Sequence, residues 1–164
     1  MKTLILVRHA KTEPLHSQIT DFERNLVNRG VKDAHLVSLK LLDKKIIPDL
    51  IISSPARRAV ETASIFAENF DYPKKNIAIK ELIYDHYTTT DFIKMIGGVH
   101  NKHEKIMVFG HNPSFEILAY RFTNEFNKHL PTTGLIGINF DVKNWKEIEA
   151  GKGKFQFFYY PKNI

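Results

Sequence analysis

Three short apolar runs, each followed by a polar turn and a helical pattern, constrain the fold more than any other feature. The runs cover residues 3–7, 50–52 and 106–109. Nearly continuous apolar runs of this length are typical of strands buried on both faces, as in parallel sheets covered by helices. The repeated order of strand, turn and helix therefore predicts an α/β domain, a three-layer sandwich with a mostly parallel sheet between helices.

The intervening segments have the periodicity of amphipathic helices. Apolar residues recur at i, i+3, i+4 and i+7 over residues 55–70 and form one stripe. Similar faces predict helices over residues 28–44, 90–96 and 113–122. Each predicted helix can therefore cover one face of the sheet.

The C-terminal part of the chain has a different pattern. Residues 134–141 and 154–160 carry β-branched and aromatic side chains and predict a hairpin-like pair at one side of the sheet. The sheet is therefore expected to be mixed, with an antiparallel C-terminal strand. No repeat, linker or low-complexity segment divides the chain, so residues 1–164 are predicted to form a single domain.

Composition narrows the class of protein. With 164 residues, of which 43% are hydrophobic, the chain can bury a substantial core. No apolar run approaches the length of about 18 residues that a membrane helix needs. The absence of cysteine excludes disulfides, thiolate metal sites and a cysteine nucleophile. We expect a cytoplasmic protein with no membrane partner.

The formal net charge of +6 raises the question of a nucleic-acid partner. The lysines are scattered, however, and the chain has neither an arginine-rich run nor the aromatic and basic signature of an RNA-binding module. A positive field attracts phosphorylated substrates equally well. We therefore expect no nucleic-acid partner.

Charged and polar residues follow the predicted strands at the edge where ligands bind in open α/β sheets. The first strand leads into Arg8 and His9, the second into a helix with Arg57 in its first turn, and a later strand into His111. Arginine and helix N-termini both bind phosphate oxygens. Each residue alone also fits a structural role, but their joint placement predicts a phosphate site. Arg58 is expected to be an ordinary surface residue.

Three sequence blocks resemble the histidine phosphatase superfamily in their order and spacing. They are VRHA at residues 7–10, SSPARRAVETA at residues 53–63 and GHNPS at residues 110–114. With DFERNL at residues 21–26, the chain is similar to the compact, SixA-type phosphohistidine phosphatases. The resemblance covers nearly the whole chain and implies a phosphoglycerate mutase-like fold. It also implies an enzyme that dephosphorylates phosphohistidine in phosphorelay or phosphotransfer proteins.

The resemblance also implies a role for each residue of the phosphate site. His9 would be the nucleophile and would form a phosphohistidine intermediate, while Arg8, Arg57 and His111 would complete the pocket. The wider family often has glycine at the position of Ala10, which is also small. Because the arginines would neutralise the phosphate charge, neither a metal ion nor another cofactor is expected. The expected partner is a protein that carries phosphohistidine.

Further substrate contacts are expected from Arg24, Asn112 and Glu81. Glu81 lies about where ester-cleaving members of the superfamily carry a proton-donating acid, with Asp85 close behind. The glycine-rich sequence that usually follows this acid in mutases is absent. An imidazole leaving group, with a pKa of about 6.5, needs little protonation. Glu81 is therefore open to two interpretations, a catalytic acid and a carboxylate that only pairs with a cation.

Two alternatives to a phosphohistidine phosphatase remain open. One is a phosphomonoesterase or mutase for small phosphate esters, with Glu81 or Asp85 as the acid. The other is a non-catalytic phosphate- or RNA-binding module on the same scaffold. A chain of 164 residues has little room for the inserted lid that encloses small substrates in larger members, which favours a protein-borne substrate.

Overall fold

The computed structural model describes residues 1–164 and has six strands and four α-helices. The strands are β1 (Lys2–Arg8), β2 (Leu50–Ser53), β3 (Ala78–Ile79), β4 (Lys105–Gly110), β5 (Leu135–Phe140) and β6 (Lys154–Tyr159). The helices are α1 (Asn28–Asp43), α2 (Arg57–Asn69), α3 (Thr89–Gly97) and α4 (Ser114–Thr123). None of the helices has the length and apolar character needed to cross a membrane.

The strands form one mixed sheet in the order β3-β2-β4-β1-β5-β6. Strands β1 to β4 are parallel to one another, β5 pairs antiparallel with β1, and β6 pairs antiparallel with β5. The predicted α/β sandwich with a mostly parallel sheet is thus confirmed. The antiparallel strand of the predicted C-terminal pair is β5, and β6 runs in the same direction as β1.

Successive residues of the central strands pack against opposite helical layers. In β1, Leu4 and Leu6 belong to the core beneath α3 and α4, whereas Ile5 and Val7 belong to the core beneath α1 and α2. All four side chains are fully buried. Burial on both faces explains why the strand is continuously apolar rather than alternating.

The register of the parallel strands brings their carboxyl ends to the same level. Arg8 of β1 lies opposite Gly110 of β4, and Ser53 of β2 lies opposite Phe109. The segments that follow β1, β2 and β4 therefore leave the sheet side by side. Arg8, His9 and His111 therefore lie at this edge of the sheet.

The loop that follows β1 is fastened to the start of α1. The Val27 amide donates to the Lys11 carbonyl oxygen at 3.0 Å. A Cβ atom at Gly30 would lie 2.2 Å from that same oxygen. Only glycine allows the helix and the loop to approach so closely, because the atom in the way belongs to the backbone and cannot rotate aside.

Replacement of Gly30 by alanine should therefore destabilise the protein. Relief of the clash requires a backbone shift, and overpacking of this kind costs about 1–3 kcal/mol. Chemical denaturation measures the free energy of unfolding. Gly98→Ala is the control, because its Cβ would meet only the Met95 oxygen at an ordinary 3.5 Å. Equal stability of the two variants would contradict the close packing at Gly30.

Candidate active site

His9 leaves the end of β1 with its ring orientation and protonation set by the backbone. Its Nδ1 atom lies 2.8 Å from the Ala10 carbonyl oxygen. A carbonyl oxygen can only accept a hydrogen bond, so Nδ1 carries the proton and Nε2 keeps its lone pair. The His9 backbone is held between Gly110 and Thr133 by hydrogen bonds of 3.1 Å on each side. The residue is only 7% exposed.

The surroundings of His9 keep its imidazole neutral. Burial lowers its pKa from 6.5 to about 4, and the positive charges of Arg58, Arg8 and Arg24 act in the same direction. A hydrogen bond to the Ala10 carbonyl works against the shift but does not reverse it. At neutral pH, His9 therefore presents an unprotonated Nε2 atom beside several cations, as a nucleophile for an anionic substrate requires.

His111 follows β4 and faces His9, with 5.3 Å between the ring centroids. Its Nε2 atom lies 2.8 Å from the Ser54 hydroxyl, which already accepts a hydrogen bond from the Ala56 amide. The hydroxyl can donate its proton to Nε2, and in that arrangement the ring proton of His111 lies on Nδ1. Burial and then the charge of Arg58 lower the pKa of His111 to about 3. The ring is therefore neutral at neutral pH.

The structure reverses the predicted placement of the two arginines at the start of α2. Arg58, predicted to be a surface residue, is only 5% exposed, and its charge acts on both histidines. Arg57, predicted to line the pocket, is exposed and donates to the Asn25 side chain at 3.3 Å. The placement of Arg57 was wrong, and the guanidinium beside the imidazoles is that of Arg58.

The physical reason is the position of each arginine around the helix. Arg58 precedes Thr62 and Phe66 by four and eight residues, and all three are buried on the same face. The Thr62 hydroxyl donates to the Arg58 carbonyl at 2.7 Å and accepts from the Ala10 amide at 2.9 Å. Arg57 shares its face with the partly exposed Glu61. The four-residue spacing is a sequence signal that identifies the correct arginine.

Asp21 connects several groups of the site, and sequence reasoning gave it no role. Its carboxylate accepts from Arg24 at 2.8 Å, from Arg58 at 3.1 Å and from the Tyr84 hydroxyl at 2.9 Å. Its backbone oxygen also accepts from Arg58 at 2.7 Å. Burial opposes ionisation, but the Tyr84 hydrogen bond and the two guanidiniums outweigh it and lower the pKa of Asp21. Asp21 is thus an ionised anchor for Arg24 and Arg58.

The predicted residues Arg8 and Asn112 share a single anchor. Arg8 Nη1 donates to the Leu130 carbonyl oxygen at 3.1 Å, and Asn112 Nδ2 donates to the same oxygen at 2.9 Å. Burial lowers the pKa of Arg8, the charge of Glu116 opposes that shift, and the charge of Arg58 adds to it. The charges of Arg8 and Arg24 both act on His9, and Asn112 is held beside Arg8 by their common acceptor.

The two acidic residues considered as proton donors do not join this group. Glu81 and Asp85 are both exposed. The Asp85 carboxylate accepts from the adjacent His86 amide at 2.8 Å. Neither carboxylate has a hydrogen bond or ion pair with a residue of the site. The residue of this segment that reaches the site is Tyr84, whose ring packs edge-on against His111 with 5.8 Å between centroids.

The donors of the site suit an oxyanion. The Nε atoms of Arg8, Arg24 and Arg58 and the Nδ1 atom of His111 are buried and have no hydrogen-bond partner in the protein. Buried donors without partners are costly, so they indicate a ligand that supplies acceptors. Phosphate oxygens match guanidinium donors in both charge and geometry.

The sequence also matches a known family. The model of the histidine phosphatase superfamily (branch 1) matches residues 4–95, which is more than half of the chain. The chain belongs to the histidine phosphatase superfamily and is a phosphatase of that class. The matched region includes His9 and Arg58, while His111 lies beyond it and reaches the site through the pairing of β1 with β4.

Solved structures share the complete fold. A protein assigned as the phosphohistidine phosphatase SixA from Agrobacterium tumefaciens is 23% identical, with a TM-score of 0.80 and 98% of each chain covered. The protein histidine phosphatase SixA complexed with tungstate is 17% identical, with a TM-score of 0.84 and the same coverage. A protein assigned as an α-ribazole-5′-P phosphatase from Escherichia coli is 14% identical, with a TM-score of 0.74 and 98% of each chain covered. No curated protein sequence matches the chain.

The two imidazoles should titrate far below the ordinary histidine range. In an NMR titration, His9 should have a midpoint at about pH 4 and His111 at about pH 3. The unfolded chain takes up these protons near pH 6.5, so the free energy of unfolding should fall as the pH decreases from about 6.5 towards 4. Ring nitrogen shifts should also report a proton on Nδ1 of His9. Midpoints near pH 6.5 would contradict the proposed electrostatics.

Proposed function

We propose that this phosphatase hydrolyses phosphohistidine carried by proteins, through a covalent intermediate on His9 and without a metal ion. Three features support the proposal. The unprotonated Nε2 atom of His9 is a ready nucleophile, three guanidiniums stand around the site, and neither Glu81 nor Asp85 has a hydrogen bond or ion pair with a residue of the site. The first two favour phosphoryl transfer in general, and the third favours a particular leaving group.

In the first step, the lone pair of His9 Nε2 attacks phosphorus and forms a nitrogen–phosphorus bond. The phosphorus–nitrogen bond to the substrate imidazole breaks. The departing ring keeps the bonding electrons and leaves as neutral imidazole, because its other nitrogen carries a proton. Arg8, Arg24 and Arg58 stabilise the negative charge on the nonbridging oxygens, which would otherwise repel the nucleophile. Because His9 is already neutral, no base has to remove a proton before attack.

In the second step, water attacks the phosphorus of the phosphohistidine on His9. The bond to Nε2 breaks, the imidazole regains its lone pair, and inorganic phosphate leaves with the oxygen of the water. His111 donates the hydrogen on Nδ1 to a phosphoryl oxygen in both steps, which stabilises the transferring group. Ser54 holds His111 in the tautomer that makes this donation possible.

The state of the carboxylates around the site indicates which class of substrate it favours. Glu81 and Asp85 are exposed, and the carboxylate of Asp21 is held ionised by Arg24 and Arg58. An alkoxide leaving group needs a proton as it departs. A phosphohistidine ring that carries a proton on its other nitrogen leaves as neutral imidazole, whose protonated form has a pKa of about 6.5, and needs no acid from the enzyme. A site of this kind favours phosphohistidine over alkyl phosphate esters.

The charge of the site supports a mechanism without a metal ion. In kinases, magnesium neutralises the charge that develops on the transferring phosphoryl group. Here Arg8, Arg24 and Arg58 provide positive charge at the same place, and each is anchored by a carbonyl or a carboxylate. Activity should therefore persist in the presence of EDTA.

A pair of neighbouring substitutions tests the assignment of the phosphate-binding arginine. Arg58→Ala should lower kcat/KM for phosphohistidine by about a hundredfold or more, because it removes a donor to the transferring group. Arg57→Ala should change kcat/KM by less than about fivefold, as expected of an exposed charge. Steady-state kinetics on the two purified variants measures both. The reverse order of effects would contradict the assignment of Arg58.

A substrate panel tests the proposed leaving group. Phosphohistidine on a histidine-containing phosphotransfer domain should be turned over rapidly with EDTA present, while phosphoserine and sugar phosphates should react slowly. Glu81→Gln should leave both rates unchanged, and His9→Ala should abolish turnover. Faster turnover of alkyl esters, with a large loss in Glu81→Gln, would instead support a phosphomonoesterase. Tight anion binding without any turnover would support a non-catalytic module.

A further inference from the structure

Glu116 lies in the first turn of α4 and contacts the loop whose Leu130 carbonyl anchors Arg8. Its Oε2 atom accepts from the Leu130 amide at 2.6 Å. The same oxygen pairs with Nδ1 of His129 at 2.8 Å, although the His129 side chain is 72% exposed. A hydrogen bond between a carboxylate and a backbone amide is among the stronger ones in a protein.

Leu130 transmits this contact to the site. Its side chain is fully buried in the core beneath α3 and α4. Its amide is held by Glu116, and its carbonyl oxygen accepts from both Arg8 and Asn112. The direction of that carbonyl depends on the backbone conformation at Leu130, which is set by the buried side chain together with the held amide.

The loop around Leu130 is irregular and is held by individual contacts. Residues 124–134, between α4 and β5, include no helix or strand. The next backbone contact of this loop with β1 is at Thr133, whose amide donates to the Arg8 and His9 carbonyl oxygens. The only protein group that accepts a hydrogen bond from the Arg8 guanidinium is the Leu130 carbonyl oxygen. The orientation of Arg8 therefore depends on one carbonyl group.

We propose that Glu116 is a positioning residue, which aligns Arg8 and Asn112 for phosphate binding by fixing the Leu130 backbone. The inference rests on the proposed function, because it assumes that Arg8 binds the phosphoryl group. Glu116 makes no hydrogen bond or ion pair with Arg8, His9 or His111. Its carboxylate also partly offsets the positive charge that accumulates around Arg8, where it opposes the lowering of the Arg8 pKa.

Two conservative variants separate the effect of side-chain length at position 116 from the effect of its charge. Glu116→Gln keeps an oxygen at the distance of the Leu130 amide but loses the charge. Glu116→Asp keeps the charge, but its side chain is one methylene shorter and withdraws the acceptor. Tungstate serves as the probe, and its affinity is measured by calorimetry with the folded state of each variant checked by thermal denaturation.

Glu116→Asp should bind tungstate roughly tenfold more weakly than the wild type, the loss expected for a hydrogen bond to a charged group. Glu116→Gln should stay within about threefold, because a neutral acceptor retains part of that bond. Glu125→Ala is the matched control. Its carboxylate also accepts from a backbone amide, that of Phe155 at 3.2 Å, but has no connection to Arg8.

The route through Arg8 is tested by a double-mutant cycle. In an Arg8→Ala background, Glu116→Asp should have a much smaller effect on tungstate affinity, because the group that it positions has been removed. The proposal would be overturned if Glu116→Asp weakened tungstate binding equally in the Arg8→Ala background. It would also be overturned if Glu125→Ala lost as much tungstate affinity, or if Glu116→Asp kept the wild-type affinity. Equal losses in Glu116→Gln and Glu116→Asp would overturn the hydrogen-bond route.

Failure of the proposed function would look different. A wild-type protein that binds tungstate but does not hydrolyse phosphohistidine would overturn the proposed substrate. The ranking of the Glu116 variants in tungstate binding would still test the positioning role in that case.

Discussion

The clustering of positively charged arginines at one edge of the sheet is the constraint on which the rest of this structure depends. Arg8, Arg24 and Arg58 all act electrostatically on the buried imidazole of His9. Such a group is stable only if each guanidinium has a fixed partner, since unpaired buried charge is costly. Asp21 holds Arg24 and Arg58, and the Leu130 carbonyl holds Arg8. These anchors keep the cations in place while leaving part of each guanidinium without a protein partner.

The same cluster of buried and positively charged groups determines the protonation state of both histidines. Burial and neighbouring cations favour the neutral imidazole, and hydrogen bonds then select the tautomer of each ring. The Ala10 carbonyl places the proton of His9 on Nδ1, whereas the Ser54 hydroxyl favours a proton on Nδ1 of His111. Because Nε2 is free on one ring and engaged on the other, similar side chains take different roles. In the proposed mechanism, one is the nucleophile and the other is the hydrogen-bond donor.

The parts of this arrangement that follow from chain periodicity could be predicted from sequence. Continuous apolar strands predict burial between two helical layers, and parallel strands predict that Arg8, His9 and His111 meet at one edge. Arg57 and Arg58 both lie in the first turn of α2, so their place in that turn does not show which of them faces the site. Spacing of four residues to Thr62 separates them correctly.

Other parts have no local sequence signal. Asp21 lies in a short 3-10 turn, and its contacts with Arg58 and Tyr84 join segments that are 37 and 63 residues apart. The Leu130 anchor depends on an irregular loop that is fixed by tertiary contacts with α4 and β1. The two-residue strand β3 is too short to show a periodicity. In each case the conformation is decided by long-range packing rather than by local propensity.

A crystal of the protein soaked with tungstate tests the central claim most directly, because the anomalous signal of tungsten locates the anion without assumptions about substrate. The account predicts tungsten beside Nε2 of His9, with its oxygens bound by Arg8 and Arg58 and by Nδ1 of His111. Tungstate bound at the exposed Arg57, or elsewhere on the surface with the His9 site empty, would contradict it.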